Sequence, residues 1–472
     1  MLYKSDLDGV LQEIMLRWDV PGMAIGIVKG DEVAYAKGFG VQSLETQAPV
    51  TLDTIFCVQS ISKPFVATAV MQMAERGKLD LDAPLVQYLP YFQMDDERYR
   101  QITIRQALSH TSGMLDMEES EYVELVTHPE YDDSAAERYV RGLSNRKLIA
   151  SPGERFSYSN IAYNVLGDML AKVSGCSFEE AIREHVLIPS GMTHSTFMLA
   201  DIPTNLMAVP HLRSPEIKVN PIYPYHRADA PASFLHTTVI DMCHWGSTAL
   251  NRGSYLNQSI LSPASYNLMW TSVANRGSSP SMFEEMGLGW SLGHYKDVKT
   301  VCHGGGGFGW NAFLLILPER NYAAVILSNE ESNAHIRATR AVADVLLDEK
   351  PKANSVSWMI PISHALAEGG IDAAYARYAE IKARKDNDEF FIQEYELINL
   401  ALQLFTAKKT DLAIEVLGLN IHAYPEYIES YLEQAKLYLY KGKIMQAKEN
   451  ILKALSIEPD NITAASLMAM VQ

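Results

Sequence analysis

The chain has 472 residues, with 40 Lys and Arg against 57 Asp and Glu, for a formal net charge of −17. That length exceeds one ordinary hydrophobic core, so two or more domains are expected. The acidic balance argues against nucleic acid or an anionic membrane as the main partner, and no stretch approaches the ~18–20 apolar residues of a membrane span.

The N-terminal segment mixes apolar and charged residues at helical spacing and lacks the order of a secretory signal. We therefore expect a cytoplasmic protein, or a periplasmic or secreted one whose signal has been removed. The four cysteines are scattered and form no CxxC pair. This pattern favours reduced, buried thiols over zinc sites or a disulfide framework.

Strand patterns lie near both ends of the first 350 residues. They are predicted at Met23–Val28, Glu32–Tyr35, Trp290, Thr300–Val301, Asn311–Leu317 and Tyr322–Leu327. A helix is predicted over Ser332–Leu347, and the Pro- and Gly-rich stretch Ile202–Pro231 predicts loops that wall a cleft. A sheet built from both ends and covered by helices from the middle gives an α/β (or α+β) fold.

The first chemical motif is Ser60-Ile61-Ser62-Lys63, which opens a long apolar helix with Pro64 in its first turn. A serine at a helix N-terminus has free N–H groups and a favourable dipole for a developing anion. Lys63 lies three residues on, on the same helical face, and an apolar surround lowers a lysine pKa, so it can act as a base. A second Ser-x-x-Lys at Ser144 sits in a charged segment without such a helix.

The second motif is Tyr158-Ser159-Asn160, and Tyr-x-Asn also occurs at Tyr255–Asn257. A phenol flanked by cationic groups can be partly ionised near neutral pH and exchange protons with a serine. The Asn160 amide offers a donor and an acceptor to a substrate amide or ester. A buried tyrosine with one satisfied hydrogen bond is the alternative.

The third motif is His303-Gly304-Gly305-Gly306-Gly307, which leads into a strand. It is no phosphate loop, because no Lys-Ser/Thr follows and no helix opens. A glycine-lined strand lets a ligand backbone lie close and presents N–H groups to an oxyanion. Gly289–Gly293 also fits Gly-x-Ser-x-Gly around Ser291, but the helix that a nucleophile elbow requires is missing.

Beyond Lys350–Asn354 the strand patterns end, and a 34-residue period relates Ala401, Ala413 and Pro425 to Ala435, Ala447 and Pro459. Repeats of this length, with small residues on facing helices and a proline after the second helix, resemble tetratricopeptide repeats. A partial earlier unit over Gly370–Tyr375 is out of phase. We expect a hydrolytic domain over 1–350 and an all-α repeat domain over 351–472, with a plain helical bundle as the alternative.

Taken together, the three motifs and the segment Leu108–Met114 resemble the serine β-lactamase and penicillin-recognising enzyme superfamily over residues 5–348. The similarity is greatest to class C β-lactamase-like serine hydrolases, which include esterases and D-aminopeptidases. The resemblance implies an antiparallel sheet flanked by helices. It also implies that Ser60 is the acylated nucleophile, that Lys63 and Tyr158 share the proton shuttle, and that Asn160 holds the substrate.

By the same resemblance, the N–H groups of Ser60 and Gly306 form the oxyanion hole. His303-Gly304-Gly305 replaces the Lys-Thr-Gly of β-lactamases and transpeptidases of this type, and these residues would line the substrate site. A largely neutral histidine supplies less charge for a substrate carboxylate than that lysine does. Efficient penicillin hydrolysis is therefore not expected, and His-x-Gly is similar to the pattern of D-aminopeptidases.

The leading interpretation is a serine hydrolase for an ester, a small amide or a short peptide, without metal or organic cofactor. A D-aminopeptidase or other D-amino-acid peptidase is second, and a weak β-lactamase third. The rival from another class is an inert lactamase-like scaffold whose repeats bind a protein partner. The joint presence of Ser60, Lys63, Tyr158 and Asn160 argues against inertness.

Overall fold

The computed structural model describes residues 4–277, 281–353, 355–384 and 390–471. Among these residues, the strands are β1 (Gly22–Lys29), β2 (Glu32–Gly40), β3 (Phe56–Cys57), β4 (His211–Arg213), β5 (Ile217–Val219), β6 (His236–Thr237), β7 (Ser254–Tyr255), β8 (Gln258–Ser259), β9 (Ala274–Asn275), β10 (Glu285–Met286), β11 (Ser291–Tyr295), β12 (Val298–Gly307), β13 (Trp310–Leu317), β14 (Tyr322–Ser328), β15 (Val356–Ser357) and β16 (Phe390–Phe391).

The helices in the same ranges are α1 (Lys4–Trp18), α2 (Ser62–Glu75), α3 (Ile104–Leu108), α4 (Glu119–Thr127), α5 (Ala135–Gly142), α6 (Asn160–Ser174), α7 (Phe178–Ile182), α8 (Ala230–Ser233), α9 (Val239–Leu250), α10 (Pro263–Met269), α11 (Ala334–Leu346), α12 (Met359–Ala383), α13 (Glu396–Thr406), α14 (Thr410–Ala423), α15 (Ile428–Tyr440), α16 (Ile444–Ile457) and α17 (Ile462–Met470). None of these helices is both long enough and apolar enough to cross a membrane.

Eight strands form one antiparallel sheet in the order β2-β1-β14-β13-β12-β11-β10-β9. The N-terminal strand β1 pairs with β14 over Met23–Lys29, so β1 and β14 are the second and third strands from one edge of the sheet. Successive side chains of β1 alternate between two hydrophobic clusters, so Ala24 and Val28 pack on one face and Ile25 and Ile27 on the other. The predicted antiparallel sheet flanked by helices is thus confirmed.

Helices cover both faces of the sheet. Helices α1 and α11 pack against each other on one face, while α9 packs on β1 and β14 from the other. The helix predicted over Ser332–Leu347 spans Ala334–Leu346, and the Ser332 hydroxyl before it accepts the Ala334 N–H. The strand predicted at Trp290 begins one residue later, at Ser291, and Trp290 is buried with its ring stacked on Trp245.

The stretch Ile202–Pro231, predicted as loops, contains more regular structure than expected. Strands β4 and β5 form a short hairpin there, and Arg227–Asp229 makes a 3₁₀ turn that leads into α8.

The prediction that the cysteines are buried needs one correction. Cys57, Cys243 and Cys302 are buried free thiols as expected, but Cys176 is exposed.

The C-terminal region is helical apart from a two-residue parallel pairing of β15 with β16. Helices α14 and α16 begin and end 34 residues apart, and their partners α13 and α15 pack beside them. The four small residues of the repeat pattern are fully buried: Ala401, Ala413, Ala435 and Ala447. Gly369 and Gly370 break the helical geometry of α12. This arrangement is consistent with tetratricopeptide-like repeats. The predicted boundary segment Lys350–Asn354 ends at a residue outside the described ranges.

Candidate active site

Ser60 lies in a tight turn between the sheet and an apolar helix. The turn is a 3₁₀ helix over Gln59–Ile61 that runs directly into α2. Gln59 has φ of 49°, a left-handed conformation that a glutamine adopts only under tertiary constraint. Pro64 falls inside the first turn of α2, where its missing N–H costs nothing. The local structure therefore presents Ser60 at the start of α2, as the sequence predicts.

Lys63 is fully buried, and its amine makes three hydrogen bonds. Its Nζ lies 2.9 Å from Ser60 Oγ, 2.5 Å from Asn160 Oδ1 and 2.8 Å from the carbonyl oxygen of Ala232. As a free amine, Lys63 could donate to the amide and the carbonyl and accept the Ser60 hydroxyl proton. The geometry suits a general base for Ser60.

The charge of Lys63 is set by two opposing effects. Burial lowers its pKa below the ordinary lysine value, while the carboxylates of Asp229 and Asp116 favour the charged form. Burial in turn raises the pKa of Asp229. The net effect on Lys63 is a lowered pKa, so the amine sheds its proton more readily than a surface lysine.

Tyr158 also faces Ser60, but its protonation differs from the prediction. Its phenol shares a hydrogen bond with the Ser60 side chain, and its ring lies 4.9 Å from Lys63 Nζ. Burial raises the Tyr158 pKa well above its usual value, and the Ser60 hydrogen bond offsets this only in part. The expected partial ionisation near neutral pH is therefore wrong, and Tyr158 is a neutral phenol in the resting site.

Asp116 positions Asn160 and was missed in the sequence. The backbone N–H of Asn160 donates to Asp116 Oδ1 at 2.9 Å, and its side-chain amide donates to Oδ2 at 2.7 Å. The amide oxygen of Asn160 therefore points to Lys63. No motif signals Asp116, because it lies 44 residues from its partner.

His110, within the Leu108–Met114 segment, supports the tyrosine motif. Its ring stacks on Tyr158 with centroids 4.2 Å apart, and its Nδ1 accepts the Ser159 N–H at 3.1 Å. Burial and the nearby Lys63 hold the His110 pKa far below its usual value, so the ring is neutral. This packing holds the Leu108–Met114 segment against the tyrosine motif.

Strand β12 brings its glycines against the Gln59–Ile61 turn, which carries Ser60. A Cβ on Gly305 would lie 2.1 Å from the Val58 carbonyl oxygen and 3.0 Å from the Ser60 nitrogen, so only glycine fits there. His303 donates from Nδ1 to the Gly304 carbonyl at 2.7 Å. Burial lowers the His303 pKa to about 3, so the ring is neutral and supplies no positive charge.

Arg276 supplies the positive charge that His303 lacks, and the sequence gives no signal for it. It lies beside β9, its guanidinium packs 5.2 Å from the Phe283 ring centroid, and it donates to Ser291 Oγ at 2.6 Å. Burial lowers its pKa, but an arginine stays charged near neutral pH. A cation thus sits in the same cleft as Ser60.

Two cavities, named here the outer and inner branches of the cleft, share Ser60 and Gly306 in their linings. The outer branch has a volume of about 360 Å³ and is lined by Ser60, Tyr158, Arg276, Phe283, Ser291, His303, Gly304, Gly305, Gly306, Asn311, Phe313, His335 and Ile336. The inner branch has about 120 Å³ and is lined by Gln59, Ser60, Glu119, Tyr122, Asn160, Asp229, Ser233, Phe234, Gly306, Gly307, Phe308, Glu331, Leu402 and Thr406. All the predicted site residues except Lys63, which contacts Ser60 from below, line one or both branches.

The other sequence matches to these motifs either lie outside the cleft or lack the required geometry. Ser144 is exposed in a short 3₁₀ turn. Ser291 is buried in β11, with a strand rather than a helix after it, so it forms no nucleophile elbow. Tyr255 belongs to the two-residue strand β7.

Comparisons with known proteins give a consistent result. A family model described as Beta-lactamase matches residues 7–348. Protein flp of Staphylococcus aureus (strain MW2) is 27% identical over 330 residues, which are 70% of this chain and 64% of that protein. The chain therefore matches less than two thirds of the length of this relative.

Solved structures are similar over most of the chain. The octameric penicillin-binding protein homologue from Pyrococcus abyssi aligns with a TM-score of 0.64 and 26% identity, covering 74% of this chain and 78% of that one. A class C beta lactamase from Rhodobacter sphaeroides aligns with a TM-score of 0.59 and 21% identity, covering 73% and 100%. The second likeness supports the fold alone.

Proposed function

Since the chain belongs to the beta-lactamase family, we propose that it is a serine hydrolase that forms an acyl-enzyme on Ser60. The observation that carries the proposal is the 2.9 Å contact between Ser60 Oγ and the fully buried amine of Lys63. A serine hydroxyl is a weak nucleophile unless a base lies within hydrogen-bond reach, and Lys63 meets that condition.

In the first step, Lys63 accepts the Ser60 hydroxyl proton while the oxygen attacks an ester or amide carbonyl. Negative charge develops on the carbonyl oxygen, and the N–H groups of Ser60 and Gly306 stabilise it. The close approach of Gly305 to Val58 and Ser60 supports this pairing, because it brings β12 and the turn that carries Ser60 to within van der Waals distance.

Collapse of the intermediate requires a proton on the leaving group. Tyr158 is neutral and hydrogen-bonded to Ser60, so it can pass a proton to the leaving oxygen or nitrogen and be reprotonated by the Lys63 ammonium. Water then attacks the acyl-enzyme by the reverse transfers and releases the acid. Asn160, held by Asp116 and Lys63, orients the substrate carbonyl or amide.

An ester or small amide is the leading substrate class. A D-aminopeptidase is the second candidate, favoured by the neutral His303 where β-lactamases of this type carry lysine. A weak β-lactamase is the third, and Arg276 gives it more support than the sequence alone, since a guanidinium can bind a β-lactam carboxylate. The inert-scaffold alternative does not account for the hydrogen bonds that join Lys63 to Ser60 and Asn160.

A serine-directed fluorophosphonate and p-nitrophenyl butyrate test the proposal on the full chain. We expect labelling and turnover by the native protein and by Ser144→Ala, which removes the exposed serine of the second Ser-x-x-Lys. Ser60→Ala should abolish both. Equal labelling of Ser60→Ala and native protein would refute the hydrolase proposal. A chromogenic cephalosporin and D-amino-acid amides in the same assay rank the three substrate classes.

A further inference from the structure

The inner branch of the cleft has an acidic lining. Glu119, at the start of α4, and Glu331, after β14, both face it, and so does Asp229. Asp229 is only 1% exposed, and no described donor lies in hydrogen-bonding geometry with its Oδ2. A buried carboxylate oxygen without a donor at the wall of a cavity indicates a missing partner.

Few protein cations offset these carboxylates. Lys63 does not line the inner branch, and its amine is committed to Ser60, Asn160 and the Ala232 carbonyl. Lys436 lies near Glu119, but its ammonium pairs with Glu118 at 2.6 Å and Glu433 at 2.9 Å. The inner branch therefore has an excess of carboxylates over available cations.

The electrostatics of the two glutamates agree with this excess. Burial, together with repulsion from Glu331, raises the pKa of Glu119 to about 8. Burial likewise raises the pKa of Glu331 to about 7. Both side chains nonetheless keep some accessible surface, and both line the inner branch. A cation bound between them would restore their ionised forms.

The shape of the inner branch suits the acyl part of a substrate. It is the smaller and more enclosed of the two branches, and its far wall comes from Leu402 and Thr406 of α13. Thr406 Oγ1 lies 3.2 Å from Glu119 Oε1 and 3.0 Å from the Leu402 carbonyl oxygen, so its hydroxyl can donate to either acceptor. The leaving group must depart after the first step while the acyl group stays, so the open outer branch suits the former and the closed branch the latter.

We propose that the inner branch binds an ammonium group carried by a short acyl chain, with Glu119 and Glu331 as the residues that determine this specificity. The inference rests on the proposed acyl-enzyme at Ser60 and adds the substrate class: short aminoacyl esters or amides. It also gives α13 of the C-terminal region a direct part in the site.

The test compares two esters of equal size on the full chain, p-nitrophenyl β-alaninate and p-nitrophenyl butyrate. Their acyl chains differ only in a terminal ammonium against a methyl group. The native protein should favour the β-alaninate by about tenfold or more in kcat/KM, corrected for Ser60→Ala. Glu119→Gln and Glu331→Gln should each bring the ratio toward one while butyrate turnover persists. Glu124→Gln, on the exposed side of α4, is the matched control and should leave the ratio unchanged.

Each outcome decides one question. Absence of turnover and of Ser60-dependent labelling would refute the hydrolase proposal itself. Butyrate turnover equal to or faster than β-alaninate turnover, or an unchanged ratio in both glutamine variants, would refute the ammonium site alone. Should the glutamine variants fail to fold, protection of the native protein from fluorophosphonate decides: n-propylammonium should protect at lower concentration than 1-propanol, and equal protection would overturn the inference.

Discussion

At the residue scale, the buried amine of Lys63 sets the pH at which the proposed nucleophile forms. Its lowered pKa means that the free amine is present above that pKa and is lost as the pH falls through it. We therefore expect kcat/KM for a neutral ester to fall tenfold per pH unit on the acid side and to reach a plateau below the ordinary lysine pKa. A rate that still rises at pH 10 would contradict this role.

Lys63→Arg, which keeps the charge but removes the base, should lower kcat/KM for the same ester by about 10²–10⁴-fold.

Tyr158 gives a separate prediction because its phenol stays protonated. Tyr158→Phe should lower the plateau of the same pH–rate profile by about 10²-fold or more, since proton transfer to the leaving group is impaired. The acid limb should keep its position, because it reports Lys63. A shifted limb with an unchanged plateau would instead mean that Tyr158 acts only through the Lys63 charge.

Arg276 is expected to bind a carboxylate in the outer branch. Guanidinium–carboxylate pairs are geometrically specific, so Arg276→Gln should raise KM for a carboxylate-bearing leaving group by about tenfold or more. The matched pair is 3-(butyryloxy)benzoate against phenyl butyrate, whose leaving groups differ in that one charge. Equal changes for both esters would mean that Arg276 supports the structure, through Ser291 and Phe283, rather than the substrate.

At the element scale, the proposed activity depends on how closely β12 packs against the Gln59–Ile61 turn. Gly305→Ala would place a methyl group 2.1 Å from the Val58 carbonyl oxygen and 3.0 Å from the Ser60 nitrogen, and this backbone leaves no room for it. We expect the strand to shift away from Ser60 and ester turnover to fall by about 10²-fold, as is typical when one oxyanion-hole donor is lost. Circular dichroism should show the fold retained. Gly142→Ala, whose added Cβ meets nothing within 4 Å, is the control.

The elements that the sequence predicts best are those with a strong local pattern. The β1–β2 hairpin, β13, β14 and α11 were all predictable, because apolar periodicity and turn residues act within a few positions. Strand β2 runs on to Gly40, beyond the predicted Tyr35, because pairing with β1 continues to Gly22. Tertiary pairing, rather than propensity, sets that end.

The residues of the candidate site also fall into two groups: those that a local sequence pattern marks and those that it does not. Ser60 and Lys63 are three residues apart on one helix, so a motif can carry them. Asp116 and Asp229 act on Lys63 through contacts across long stretches of chain, and no local pattern marks them. Arg276, Glu119 and Glu331 are ordinary charged residues in the sequence. Only the fold brings them into one cleft.

At the scale of the whole molecule, the composition change near residue 350 does not coincide with a break in packing. One hydrophobic cluster contains Leu11 and Ile326 of the N-terminal part together with Leu397, Leu400 and Leu404 of α13. Gln403, only 1% exposed, accepts the Arg213 N–H at 2.8 Å and donates to the Glu331 carbonyl at 2.7 Å. We propose that residues 1–350 and 351–472 differ in architecture but share a core.

The shared core gives the last prediction. Leu400 is fully buried in this cluster, so Leu400→Ala should lower the free energy of unfolding by about 2–5 kcal/mol, through lost contacts and the cavity left behind. Leu452→Ala makes the same change on α16, where the side chain is 52% exposed, and should cost little. Urea unfolding followed by both near-UV circular dichroism and Ser60 labelling measures this. Because the core is continuous, the two signals should move together in Leu400→Ala. A shift in the circular dichroism transition with the labelling transition unchanged would mean that the two parts unfold independently.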